Sequence, residues 1–299
     1  MNVLEIRGLT KSFGEKKVLL GLDLSIPSRS IFGFVGQNGA GKTTTMKTVL
    51  GLLSADSGEI LVSGERVVYG ENKTNRYVGY LPDVPEFYPF LTAREYLSLC
   101  GESLHMPKSE LRERSEELLS LVGLETEGHR IKGFSRGMKQ RLGIAQALLG
   151  KPRLLICDEP TSALDPIGRR EILDLLLSVR EQTTVLFSTH ILSDVEQICT
   201  DVAFLAGGRI ALSGSVSELK RAHGAEEFTV EMSCDSGYRF LFETFPDAKP
   251  LDGRRLSFHG DCERAYHVLD RVRESGYALR SFVRSDASLE ALFMEVAGK

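Results

Sequence analysis

No stretch of this chain reaches the roughly 18 consecutive apolar residues that a bilayer crossing needs, so no membrane-spanning helix is expected. The five cysteines, Cys100, Cys157, Cys199, Cys234 and Cys262, are odd in number, widely spaced and form no C-x-x-C pair. That argues against a disulfide framework or a zinc site and suits a reducing cytosol, with most of them expected to be small buried hydrophobes. The first residues, Met1-Asn2-Val3-Leu4-Glu5-Ile6-Arg7, lack a basic segment followed by an apolar run; they read as an edge strand, and no secretion signal is expected. There is no surplus of positive charge to recommend nucleic acid or an anionic membrane surface. Lysine and arginine total 37 against 41 acidic residues, a formal net charge of −4. Beyond Gly224 the count is 10 basic against 14 acidic, so neither part is polybasic. No internal repeat or low-complexity tract is evident. The expected location is the cytoplasm.

What is present is an ordinary globular composition, 42% apolar and 26% charged over 299 residues, enough for one large domain and a small one. The most informative segment is Gly36-Gln37-Asn38-Gly39-Ala40-Gly41-Lys42-Thr43-Thr44, a complete G-x-x-x-x-G-K-[ST] phosphate-binding loop. Its glycines let the backbone wrap an anion with amides pointing inward. Lys42 supplies a cation for the outer phosphates, and the Thr43 hydroxyl can ligate magnesium. The flanks agree: Ile31 to Val35 reads as a buried strand and Thr44 to Leu53 as a helix whose N-terminus faces the phosphates.

Around this loop the pattern predicts strands at Val3–Arg7, Val18–Ile26, Glu59–Val62 and Tyr77–Leu81. A helical stretch follows, opened by a Thr92-x-x-Glu95 capping box and continued by an amphipathic run from Lys108 to Val122. Strand and helix then alternate: Leu154–Cys157, Pro166–Val179, Thr184–Phe187 and Ser193–Cys199. A hairpin turns over Gly207-Gly208. This order argues for an α/β core with a mixed, mainly parallel sheet and an inserted helical lobe at about residues 84–150. After a polar helix near Val216 to Ala222 the character changes. Strands at Glu227–Met232, Arg255–His259 and Tyr277–Val283, with helices at Glu263–Glu274 and Leu289–Val296, predict a separate α+β domain over residues 225–299.

A second nucleotide motif, Leu154-Leu155-Ile156-Cys157-Asp158-Glu159, ends an apolar strand in two acids at the ligand-binding edge of an open α/β sheet. Asp158 is a candidate magnesium ligand, and Glu159 a candidate for polarising an attacking water. Ser188-Thr189-His190 ends the next strand, which brings an imidazole towards the γ-phosphate. Phe134-Ser135-Arg136-Gly137-Met138-Lys139-Gln140-Arg141 is a helix start with a serine cap and clustered cations, competent to grip an anion.

Together these segments resemble the nucleotide-binding domain of the ATP-binding cassette (ABC) family. The segment from Phe134 resembles that family's Leu-Ser-Gly-Gly-Gln signature; it keeps Ser135 and Gly137 and departs at Phe134, Arg136 and Met138. Ser162-Ala163-Leu164-Asp165 matches the family's D-loop, and His190 its switch histidine. Phe13 falls where the family stacks an aromatic on adenine. Asp83 aligns with the Q-loop glutamine that contacts magnesium and water and couples to the transport partner, so altered coupling is expected there. The aromatic run Phe87-Tyr88-Pro89-Phe90 suits either a partner's coupling helix or packing within the helical lobe.

The resemblance implies an α/β P-loop ATPase domain at residues 1–224 and a small appended domain, with a regulatory role as the expectation. It implies ATP and Mg2+, catalysis by Glu159, His190 and Lys42, and phosphate contacts from Gly36, Asn38, Gly39, Ala40, Gly41, Lys42, Thr43 and Thr44. Magnesium falls to Thr43, Asp158 and Asp83. Ser135 and Gly137 would serve the nucleotide of a second copy in a sandwich dimer. The similarity is strongest to ATPase subunits of bacterial drug, antibiotic and sodium exporters, which implies a separate polytopic permease, a peripheral place on the cytoplasmic membrane face and no nucleic-acid partner. A soluble ABC ATPase acting on ribosomes or DNA is the alternative. It is opposed by the single cassette and by the lack of a long coiled-coil insertion. A P-loop GTPase or kinase is opposed by the signature segment and by Asn72-Lys73-Thr74-Asn75, which fails N-K-x-D at its last position.

Overall fold

The structure, a computed structural model, describes residues 2–126, 128–223, 227–251, 253–285, 289–290 and 292–293. Contacts divide the chain into two compact units, Met1–Val216 and Ser217–Lys299.

The first unit holds two sheets. Strands β1 (Asn2–Phe13) and β2 (Lys16–Pro27) form a long antiparallel pair, joined on the other side of β1 by β4 (Ser57–Val62) and then β5 (Glu65–Arg66). Alternation makes this sheet one-sided: Leu22, Leu24 and Ile26 point inward while Asp23 and Ser25 face water. The second sheet runs in the order β10-β9-β3-β8-β7-β6, where β3 is Ile31–Gly36, β6 Val78–Leu81, β7 Leu154–Asp158, β8 Thr184–Thr189, β9 Asp201–Ala206 and β10 Arg209–Ser215. All its pairings are parallel except the β9–β10 hairpin. Strands β3, β7 and β8 are buried at every residue, as a parallel sheet covered on both faces requires.

Helix α1 (Lys42–Val49) begins two residues before the sequence pattern predicts and stops earlier. Gly51, at φ 68°, turns the chain there, and the amides of Leu52 and Leu53 both bond back to the Lys47 carbonyl. The helical lobe is α2 (Ala93–Ser103), α3 (Lys108–Leu121) and α4 (Arg136–Leu148). The capping box is present, with the Thr92 side chain accepting from the Glu95 amide and Glu95 from the Thr92 amide. Helices α5 (Pro166–Ser178) and α6 (Leu192–Ile198) follow β7 and β8, and α7 (Val216–His223) follows β10.

The second unit contains β11 (Glu227–Met232), α8 (Asp235–Thr244), β12 (Lys249–Pro250), β13 (Arg255–His259), α9 (Cys262–Ser275) and β14 (Leu279–Ser285). Its antiparallel sheet has the order β12-β13-β11-β14, a ferredoxin-like β-α-β-β-α-β arrangement. Phe228, Val230 and Met232 from β11, Leu256 and Phe258 from β13, Leu241 from α8 and Val268 and Val272 from α9 form its core. Helix α8 escapes a sequence reading because Asp235, Ser236 and Gly237 open it with residues that favour turns. Of the closing helix expected at Leu289–Val296, residues 291 and 294–296 lie outside the described residues; Leu289 and Leu292 are buried.

One close approach seats α4, and so Ser135, against the sheet. A Cβ on Gly79 of β6 would lie 2.1 Å from the Ala147 carbonyl oxygen of α4, and one on Gly143 of α4 would lie 2.5 Å from Leu81 of β6. Gly79→Ala must push helix from strand. It is expected to lower unfolding stability by about 3 kcal/mol, the upper part of the range for overpacking, which urea denaturation would measure.

Candidate functional site

The phosphate loop is built by backbone conformation. Gly39 has φ 82° and Gly41 φ 115°, left-handed values that side chains resist, and Gly41 stands at the N-cap of α1. The loop thus delivers Lys42 as the first residue of the helix. Lys42 is 6% exposed; its Nζ donates to the Gly36 carbonyl at 2.7 Å and to that of Gln37 at 3.4 Å, and lies 3.1 Å from Glu159 Oε1.

The next residue reaches across to β7. Thr43 Oγ1 donates to Asp158 Oδ2 at 2.7 Å, and Ser188 Oγ donates to Asp158 Oδ1 at 2.6 Å. The Glu159 amide donates in turn to Ser188 Oγ at 3.0 Å. Glu159 itself has φ 49°, a strained value for a side chain with a Cβ. Its Oε2 lies 2.9 Å from His190 Nδ1. Its Oε1 is buried with no directed hydrogen bond, so the ion pair with Lys42 is its one close polar contact among the described residues.

These groups line a cavity of about 660 Å³ with Phe13, Lys16, Asn38, Gly39, Thr44, Asp83 and Ser162. Phe13 is half exposed, with the Lys11 ammonium 5.4 Å from its ring centre. Gly36 and Ala40 stand behind the lining; a Cβ on Gly36 would lie 2.9 Å from the Leu205 carbonyl oxygen. Ser135 and Gly137 do not line this cavity. Ser135 is exposed and caps α4, accepting from the Met138 amide at 3.2 Å. Lys16 and Val18 also line it, and nothing in a strand-like run marks them beforehand. No cluster of three or more His, Cys, Asp or Glu with metal-binding geometry occurs among the described residues.

Asp83 borders a second cavity of about 420 Å³ as well, lined by Phe87, Pro89, Ile131, Lys132, Arg136 and Lys139 among others. Arg136 Nη2 lies 3.5 Å from Asp83 Oδ1, and Gln140 Nε2 donates to the Asp83 carbonyl at 2.8 Å. Burial pushes the Asp83 carboxyl up; Arg136 opposes the shift, and Asp158 and Glu159 add to it. Burial, followed by the charges of Asp158, Cys157 and Asp83, pushes the Tyr80 hydroxyl up to about 12. The aromatic run divides: Phe87 packs edge-on against Tyr96 at 5.0 Å, while Tyr88 and Phe90 are exposed.

Fold and site define a P-loop ATPase, with a phosphate-binding loop after β3 and a carboxylate pair at the end of β7, parallel strands separated by β8. Residues 19–162 match the ABC transporter family model. The ABC transporter ATP-binding protein YxlF of Bacillus subtilis (strain 168) is 42% identical over 231 residues, 77% of each chain. The bacitracin transport ATP-binding protein BcrA of Bacillus licheniformis is 40% identical over 222 residues, 73% of this chain and 72% of that one. Similarity to the linearmycin resistance ATP-binding protein LnrL of Bacillus subtilis (strain 168), at 30%, covers 99% of both chains. A solved ATP-binding subunit of an ABC transporter superposes with a TM-score of 0.66 at 31% identity, over 74% of this chain and 92% of that one. The chain belongs to the ABC transporter family, as an ATP-binding and ATP-hydrolysing subunit. No helix among the described residues is long and apolar enough to cross a membrane.

Glu159→Gln keeps the size of the side chain and removes its basicity, so ATP binding should persist. Hydrolysis should fall by roughly two or more orders of magnitude, the range of a lost general base. Steady-state phosphate release beside equilibrium binding of a fluorescent ATP analogue checks this, and turnover at the wild-type rate would remove Glu159 from that role.

Proposed function

We propose that the chain is the ATPase subunit of an exporter. It works as a homodimer with two nucleotides held between copies, docked on a polytopic permease at the cytoplasmic membrane face. The observation that carries the dimer is the separation of the motifs. The cavity with Lys42 and Glu159 lacks Ser135 and Gly137, which stand at an exposed helix start suited to an anion offered by another copy. The names of BcrA and LnrL, a transport and a resistance protein, support the exporter reading.

Within one site, Phe13 stacks on the adenine while the amides around Gly39 and Gly41, with Lys42, hold the phosphates. The donor set fits magnesium. Thr43 Oγ1 and Asp158 Oδ2 are hard oxygens 2.7 Å apart, and three carboxylates beside a polyphosphate call for a divalent cation to balance charge. When bound, that ion neutralises charge on the outer phosphates. Thr43, Asp158 and Asp83 would hold it. Glu159 takes a proton from the attacking water as the new P–O bond forms and the γ-phosphorus parts from the bridging oxygen, leaving ADP and phosphate. His190, oriented by Glu159, donates to the γ-phosphate. The groove beside Asp83, with its apolar floor and Lys132, Arg136 and Lys139, receives the permease. Residues 1–224 form the nucleotide-binding domain and 225–299 a regulatory one.

Ser135→Arg leaves Lys42 and Thr43 intact, so monomeric protein should bind nucleotide normally while ATP-driven dimerisation and hydrolysis are lost together. Gel filtration with ATP and a turnover assay check this. A Ser135→Arg protein that hydrolyses ATP at the wild-type rate overturns the sandwich. The membrane partner is tested separately: purification from detergent-solubilised membranes should recover the chain with a polytopic protein, and recovery with ribosomes instead would favour the soluble alternative.

A further inference from the structure

The two loops that carry Glu159 and His190 meet a second time, away from the nucleotide cavity. Glu159 opens the loop from β7 to α5, and His190 the loop from β8 to α6. Thr161, next but one after Glu159, is 2% exposed, and its Oγ1 donates to Asp194 Oδ2 at 2.8 Å. Asp194, on the first turn of α6, is 1% exposed. Its other oxygen accepts from Arg169 Nε at 2.6 Å and lies 2.5 Å from Arg169 Nη2, which also donates to Ser193 Oγ at 3.0 Å. None of the three lines the cavity of Lys42 and Glu159.

A buried carboxylate–guanidinium pair is weak evidence for stability, because desolvation offsets its attraction. Its directional bonds do fix geometry. Here they join the two loops beyond the strand ends, where the β7–β8 pairing has stopped. The Glu159 loop holds left-handed residues at Glu159 (φ 49°) and Ala163 (φ 52°), a conformation that persists only where its surroundings impose it. Thr161 lies between them. On the other side the chain runs from His190 to Asp194 through a tight turn, with the Ile191 amide donating to Thr189 Oγ1 and the Asp194 amide to the Ile191 carbonyl. Arg169 enters from α5, whose N-cap is Asp165 at the end of the same Glu159 loop.

We propose that Thr161, Asp194 and Arg169 form a positioning clamp that locks the Glu159 loop to the His190 loop, holding Glu159 Oε2 and His190 Nδ1 at their 2.9 Å contact. The clamp makes the segment from Glu159 to Asp165 and the His190 turn move as one body. It rests on the reading of Glu159 and His190 as the catalytic pair.

Thr161→Val removes the hydroxyl with little change of shape, and Thr161→Ser restores it. The valine variant should bind a fluorescent ATP analogue with affinity within about twofold of wild type. Its kcat should fall by roughly ten- to a hundredfold, as expected for reacting groups displaced by a fraction of an ångström to an ångström. The serine variant should recover most of that loss. Arg169→Lys, which keeps the charge and loses the fork, should give the same loss confined to kcat. In a His190→Ala background Thr161→Val should cost less than about twofold, because both changes act on one geometry. Wild-type turnover in Thr161→Val while His190→Ala is slow overturns the clamp. So does an equal loss from Thr161→Val in both backgrounds. Wild-type turnover in His190→Ala removes the catalytic pair itself, and the clamp with it.

Discussion

The Asp158 carboxylate is the constraint on which the site depends. It is 3% exposed and accepts from Thr43 at 2.7 Å and from Ser188 at 2.6 Å. One residue at the end of β7 thereby ties the start of α1 to the end of β8. Ser188 accepts in turn from the Glu159 amide, so the orientation of the next carboxylate follows from the same bonds. Loss of Asp158 would leave the fully buried Ser188 hydroxyl without its acceptor, which costs more than one surface hydrogen bond. The parallel sheet makes this junction feasible. Adjacent strands β7 and β8 end at the same level, and the register pairs Asp158 with Ser188 directly.

Around that junction the polar groups form a chain of contacts. Lys42 lies between the Gly36 carbonyl and Glu159, and Glu159 lies between Lys42 and His190. Asp83 extends the acidic side of the cavity to its rim and borders the neighbouring groove, where Arg136 faces it at 3.5 Å. Asp83 and Arg136 each depart from the family pattern, and they do so with opposite charge across one boundary. Both side chains are nearly half exposed, so the pair contributes only a fraction of a kcal/mol to stability.

Much of this was legible in the residues. The glycines of Gly36 to Gly41 and the strand before them fix a phosphate loop through backbone freedom alone, and the Thr92 and Ser135 caps announce α2 and α4. Helix α8 was not legible, because turn-forming Asp235, Ser236 and Gly237 hide a helix that its packing in the core of the second unit stabilises. The apolar pattern runs past the true end of α1 for a related reason. Leu50, Leu52 and Leu53 continue an apolar pattern that Gly51 interrupts by adopting φ 68°.

The sequence by itself determined the local chemistry: which residues bend the chain, which cap helices, and which carry charge at the end of an apolar strand. Those properties depend on a side chain and its immediate neighbours. Only the tertiary structure decided who meets whom. Thr43 donates to Asp158, 115 positions away, at 2.7 Å, and Thr161 to Asp194 at 2.8 Å. It also decided that Ser135 stands outside the cavity of its own chain. Such pairings arise from the order of strands in a sheet and the close approach of Gly79 to α4, and no local pattern encodes a distance between segments that the chain brings together only on folding.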